Sequence, residues 1–148
     1  MNTFRRIIVP VDGSPTSNKA LVAALQIARD GGGRVRLVHV VDELSYVTGF
    51  EAGALVLDEI RKGAQRVLVA ATEIANAAGV PVETQLIDKP GERLGDCIAR
   101  EARDWDADLI AVGTHGRRGL SRVMLGSGAE HVIRVAPVPV LVIHGDEN

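Results

Sequence analysis

Five short apolar runs alternate with helical patterns along this chain, and that alternation restricts the possible folds more than any other feature. The runs are Arg5 to Val11, Val35 to Val41, Val80 to Ile87, Ala107 to Val112 and Pro137 to Ile143. The first is almost continuous in branched residues, as expected of a strand buried on both faces. In the third, Val82, Thr84 and Leu86 alternate with polar neighbours. Between the runs, a helix starting after Asp12-Gly13-Ser14-Pro15 carries Leu21, Ala24, Leu25 and Ala28 on one stripe, and Gly31-Gly32-Gly33 stops it. A longer pattern from about Ala54 to Ala78 puts Val56, Ile60, Gly63, Val67, Ala71, Ile74 and Ala78 on a core face. A third helix runs from Pro90 to Arg103 through Leu94, Ile98 and Ala102, and a fourth carries Ala129, Val132, Ile133 and Ala136. Strands that alternate with helices in this way predict an α/β, doubly wound parallel sheet with helices on both faces and right-handed crossovers. Pro139 cannot donate to a sheet ladder, which places the fifth strand at an edge. Asp42 to Gly53 has no period and reads as a loop.

Composition narrows the function. A chain of 148 residues suits one domain spanning 1–148. The formal charge of -2 argues against a general nucleic-acid or membrane-surface binder. The apolar run ending at Val11 is too short for a signal peptide or a membrane span, so a cytoplasmic protein is expected. The four histidines show no zinc spacing, and no metal site is expected. Cys97 falls on the apolar side of its helix with Leu94 and Ile98, as a packed thiol rather than a nucleophile does. Trp105 and His39 read as structural residues, and no catalytic residue is assigned.

In doubly wound sheets, ligands lie beyond the carboxyl ends of the strands, where the strand order reverses. Two such ends carry distinctive chemistry here. After the first run stands Asp12-Gly13-Ser14. After the fourth run, Gly113 to Glu130 has the skeleton G-x-x-G, nine residues, then G-S, leading into a helix. Glycines let backbone N–H groups approach an anion, and a helix start supplies free donors and partial positive charge. Ser127 and Glu130 also have the spacing of a capping box, and Gly116 and Gly119 suit ordinary turns. A capping serine can still donate its O–H to a phosphate. Arg117, Arg118 and Arg122 are either phosphate-neutralising or solvated, and His115 is either a phosphate donor or a surface residue. Asp12 either accepts from a ribose hydroxyl or caps the turn to Ser14. A nucleotide accounts for the most residues, with phosphates on Gly113 to Gly128, sugar near Asp12 and base near Val40, provided that the first and fourth strands are neighbours.

Asp12-Gly13-Ser14, the full glycine skeleton and the ending Val-Pro-Val-Leu-Val-Ile (138–143) together resemble the universal stress protein family in its ATP-binding branch, over the whole chain. The resemblance implies strand order 3-2-1-4-5. It implies adenine contacts from Val11 and Val40, a ribose contact from Asp12, and phosphate contacts from Gly113, His115, Gly116, Gly126, Ser127 and the N–H groups of Gly128 and Ala129. Pro10, Val112 and Arg117 complete the expected cofactor-binding set. ATP would bring Mg2+ or Mn2+ held by its phosphates. The resemblance also implies a homodimer through strand 138–143 and a nucleotide-dependent regulator of the stress response, with an unidentified signalling partner. One departure is Gly128, where many relatives have valine; it is expected to loosen the helix start.

Rival readings of the same fold fail on specific residues. A flavin carrier would need aromatic rings around its cofactor, and the chain has two Phe, one Trp and one Tyr. A phosphoacceptor domain needs clustered carboxylates where only Asp12 stands. A dinucleotide-binding enzyme needs G-x-G-x-x-G directly after the first strand. The lack of a Walker lysine or paired carboxylates favours a regulator with little or no turnover over a slow ATPase.

Overall fold

The innermost strand is β1 (Arg6–Pro10), whose Ile7, Ile8 and Val9 have no exposed surface. The computed structural model describes residues 4–41, 53–89, 91–114 and 125–145. After β1 the order is α1 (Pro15–Gly31), β2 (Arg34–Val40), α2 (Ala54–Ala77), β3 (Val82–Ile87), α3 (Leu94–Asp104), β4 (Leu109–Gly113), α4 (Ser127–Val135) and β5 (Val140–Ile143). All the strand pairs are parallel, and the sheet order is β3-β2-β1-β4-β5. The chain therefore builds outward from β1 in one direction, then crosses back to build β4 and β5 on the other side. No described helix is long and apolar enough to cross a membrane.

Alternation along the central strands divides the apolar residues between two cores. Ile7, Val9, Val35, Leu37, Leu109 and Ala111 face α1 and α2, whose Leu21, Ala24, Leu25, Ala28, Val67, Leu68 and Ala71 complete that layer. Ile8, Val38, Ile110 and Val112 face α3 and α4, packing with Cys97, Ile98, Ala102, Ala129 and Val132. Each full burial of such a side chain contributes about 1.5–3 kcal/mol, so the two layers together outweigh any single polar contact.

The local signals act as their chemistry requires. Ser14 is the N-cap of α1, its Oγ accepting from the Ser17 N–H at 3.2 Å, and Pro15 occupies the first turn where no N–H is needed. Gly32, at φ 69°, ends the helix in the left-handed region. Helix α2 buries Ala64, Leu68 and Ala75 beside the expected Val67 and Ala71, while Val56 and Ile60 are only half-buried. At 24 residues it is about 36 Å long, against about 20 Å for a six-residue strand, so its first turns overhang the sheet. Strands β3, β4 and β5 each start two or more residues later than the apolar runs suggest. Helix α3 starts at Leu94 rather than Pro90, because Gly91, at φ 80°, holds a turn before it. Thr84 is exposed, since β3 is an edge strand with a thinner cover.

Trp105 does more than pack. Its indole Nε1–H donates to Glu83 on β3 at 2.8 Å, its carbonyl accepts from the Arg6 guanidinium at 2.7 Å, and that guanidinium stacks over the ring at 4.3 Å. Arg36 reaches the same ring and pairs with Glu101 at 2.8 Å. This network ties β1, β2 and β3 to the end of α3 opposite the strands' carboxyl ends.

Helices α3 and α4 touch through glycine. A Cβ on Gly95 would lie 2.6 Å from His131 Cγ and 2.9 Å from the His131 backbone carbon, closer than packed atoms tolerate. Gly95→Ala is therefore expected to destabilise the protein by about 1–3 kcal/mol, seen as a lower urea midpoint with an unchanged m-value.

Candidate functional site

Strand β2 outruns β1 at the carboxyl end of the sheet. The β1–β2 register ends at Pro10↔Val38, closed by the Val11 N–H donating to the Val38 carbonyl at 2.9 Å. β2 continues against β3 alone, through His39↔Leu86 and Val40↔Ile87, and the Val41 N–H donates to Ile87 at 2.9 Å. Peptide groups along a strand point alternately to its two sides. Val38 points to β1 and Val41 to β3, so the N–H and C=O of Val40 point to the β1 side, past its last partner. The Val11 carbonyl meets Nδ1 of His39 at 2.6 Å.

β4 separates from β1 early. Their register is Ile7↔Leu109 and Ile8↔Ile110, while β4 runs on to Gly113 alongside Ile143 of β5. A gap thus opens between the ends of β1 and β4, where the chain order reverses. Gly113 has a packing role at this point: a Cβ there would stand 2.6 Å from Thr16 Cγ2, so the missing side chain lets the first turn of α1 sit against β4. Thr114, almost fully buried, donates its N–H to the Ile143 carbonyl at 2.9 Å and accepts from the Gly126 N–H at 2.5 Å, which fixes where α4 begins. Its place between Gly113 and His115 was the only sign of this role in the sequence.

The capping box expected at Ser127 and Glu130 does not form. Gly126 occupies the N-cap position, with φ -64° and ψ 151°, and has no side chain with which to cap the helix. Its bond to Thr114 shifts the helix start by one residue and makes Ser127 the first helical residue. Glu130 instead pairs with Arg134 at 2.7 Å. Among the described residues, the first-turn N–H groups of Ser127, Gly128 and Ala129 therefore have no capping side chain, and they stand at the same end of the sheet as Asp12 and Val40. Gly128 does not simply loosen this start. Leu94 of α3 fills the space its Cβ would take, with Cδ2 at 2.8 Å.

Asp12 caps its own turn: Oδ1 accepts from the Ser14 N–H at 2.9 Å, and its N–H donates to Ser17 Oγ at 3.2 Å. Gly13, at φ 83°, makes the bend possible. A carboxylate has about four acceptor positions and can accept from more than one donor. The structure thus gathers Pro10 of β1 with Val11 and Asp12 just after it, Val40 of β2, Val112 and Gly113 of β4, and Gly126 with the first residues of α4, Ser127 to Ala129, at one end of the sheet. His115, Gly116 and Arg117, with Arg118, Gly119 and Arg122, lie outside the described residues, as does the loop 42–52. Among the described residues, no three His, Cys, Asp or Glu side chains are grouped to hold a metal ion.

A model of the universal stress protein family matches residues 3–144. The chain belongs to that family. It is 34% identical to universal stress protein MJ0531 of Methanocaldococcus jannaschii over 144 residues, which cover 96% of this chain and 83% of that protein. The solved structure of protein MJ0577 superposes with a TM-score of 0.83 at 26% identity, covering 99% of this chain and 100% of the other. The universal stress protein from Archaeoglobus fulgidus in complex with dAMP superposes with a TM-score of 0.72 at 28% identity, covering 97% and 99%. The observed strand order, 3-2-1-4-5, is the one the resemblance implied.

In this universal stress protein the thiol of Cys97 is fully buried between α3 and the sheet. Burial, followed by the nearby Glu92 carboxylate, pushes its pKa up from 9.0 to about 11. A thiol raised in this way adds stability that is complete below the unfolded value and is lost as pH rises through the folded one. Unfolding midpoints are expected to fall between about pH 9 and about pH 11, and a Cys97→Ala variant should lack this part of the fall. In the native protein at neutral pH a thiol-specific disulfide reagent should label Cys97 only after denaturant is added.

Proposed function

We propose that this universal stress protein binds ATP at the carboxyl end of β1, β2 and β4, and acts as a nucleotide-dependent regulator of the cytoplasmic stress response with little or no hydrolysis. The observation that carries this reading is the Val40 peptide edge, an N–H beside a C=O left without a β1 partner. Adenine presents the complement, an acceptor at N1 beside the amino donor at N6. Guanine presents the reverse, a donor at N1 beside the O6 acceptor, and would set like against like. Val11, Pro10 and Val112 would wall the base and sugar, and Asp12 would accept from a ribose hydroxyl.

The phosphates would lie at the start of α4. Its first-turn N–H groups from Ser127, Gly128 and Ala129, which the N-cap glycine cannot cap, would supply donors and partial positive charge, and Ser127 would add an O–H. His115, Gly116 and Arg117 belong to the same proposed phosphate set, with Mg2+ or Mn2+ held by the phosphates. That the Archaeoglobus fulgidus relative was solved in complex with dAMP supports an adenine nucleotide as the ligand. The sequence has no Walker lysine for phosphoryl transfer, which favours little or no turnover over slow ATP hydrolysis.

We further propose a homodimer through β5. Val140, Leu141, Val142 and Ile143 stand only half-buried at the sheet edge, and Val22 of α1 is 46% exposed. Val22 and Ile143 border a groove of about 420 Å3. An apolar edge of this kind favours pairing with its own copy about a two-fold axis.

Calorimetry should show ATP bound more tightly than AMP, and GTP at least about tenfold more weakly than ATP; equal affinity for all three would defeat the assignment. Asp12→Asn, which keeps an acceptor for Ser14, should weaken ATP by about tenfold without loss of stability. Light scattering should give twice the 15.7 kDa of one chain, and the double variant Leu141→Lys, Ile143→Lys should give one chain's mass.

A further inference from the structure

Strand β2 could zip further onto β1 by one hydrogen bond. In a parallel ladder the step after the Val11 N–H donating to Val38 is the Val40 N–H donating to the Val11 carbonyl. That carbonyl instead faces the imidazole of His39, with Nδ1 at 2.6 Å. A carbonyl oxygen only accepts, so Nδ1 carries the proton and donates. His39 is half-buried, on the strand position that alternates to the α1–α2 side with Val35 and Leu37. The bond is therefore a side chain of β2 serving the main chain of β1, at the last point where the two strands could pair.

We propose that His39 is a positioning residue for the nucleotide base: by holding the Val11 carbonyl, it keeps the Val40 N–H from closing the ladder and leaves the Val40 peptide edge open to a ligand. Short of this bond, the Val11 carbonyl would lack a partner, and the Val40 N–H is the donor that sheet geometry delivers to it. The site is thus held open by a histidine that touches the strand and not the ligand. This inference rests on the adenine reading above for its ligand, but not for its backbone geometry.

The test uses the full-length protein labelled with 15N, as the parent and as His39→Ala and His39→Asn. The Asn side-chain amide places an N–H donor close to where Nδ1 stands. Without nucleotide, the Val40 amide of the parent should exchange with solvent quickly. In His39→Ala it should become at least about tenfold more protected, as the N–H pairs with Val11, and in His39→Asn it should match the parent. Affinity for ATP should fall at least about tenfold in the Ala variant and return to within about threefold in the Asn variant. A slowly exchanging Val40 amide in the parent overturns the proposal with no variant needed. An Ala variant that matches the parent in both exchange and ATP affinity also overturns it, as does an Asn variant that restores neither. A parent that exchanges as expected but binds no ATP defeats the nucleotide reading and leaves the backbone role of His39 standing.

Discussion

The burial of β1 on both faces is the constraint on which the other elements depend. Ile7, Ile8 and Val9 have no contact with solvent, and their alternation commits odd residues to one core and even residues to the other. Neither core can close without helices, so α1 and α2 cover one face and α3 and α4 the other. A strand in this position also needs neighbours on both edges, which the chain provides by placing β2 on one side and β4 on the other. Reversal of direction at β1 sends the crossovers from β1 and β4 to opposite faces, so the strand ends part at the carboxyl side of the sheet. The crevice is thus a consequence of how the hydrophobic layers close.

Glycine sets the packing around this end of the sheet. Gly113 admits Thr16, Gly128 admits Leu94 and Gly95 admits His131, each at a distance a Cβ would forbid. These contacts draw the first turn of α1 against β4 and hold α4 against α3. Two helix starts are thereby brought to the same end of the sheet, and helix starts are where backbone donors lack internal partners. At α4 the bond from Gly126 to Thr114 sets the start and puts at the N-cap a residue with no side chain to cap it. The same small residues that let distant elements pack closely thus also fix which backbone groups stand at the carboxyl end of the sheet.

The two sheet edges differ in ways that fit separate uses. β3 presents Glu83, Thr84 and Gln85, with Glu83 tied to Trp105, so that edge is polar and anchored. β5 is four apolar residues, all half-buried. Pro139 precedes it, outside the strand, and its carbonyl still accepts from Ile110 at 3.0 Å, so proline limits the strand's length without breaking its pairing with β4.

The sequence by itself determined the fold class, the number of strands, the edge position of β5 and the stripe of α1, because these follow from periodicity, glycine stops and a proline that cannot donate. It also placed Asp12, Val40 and Gly113 at the same end of the sheet, through strand ends that doubly wound sheets bring together. Other features were decided by contacts between distant segments, which no local pattern encodes. The capping box at Ser127 fitted its spacing and still failed, because a bond from Thr114 moved the helix start. Gly128 was read as a weak point in α4, since Leu94, which fills its space, lies more than thirty positions away. The place of Trp105 among Arg6, Arg36 and Glu83, and the bond from His39 to Val11, depend on which strands become neighbours. Local chemistry sets what each segment prefers; which carbonyl, ring or cavity it meets is settled only when the two cores close around β1.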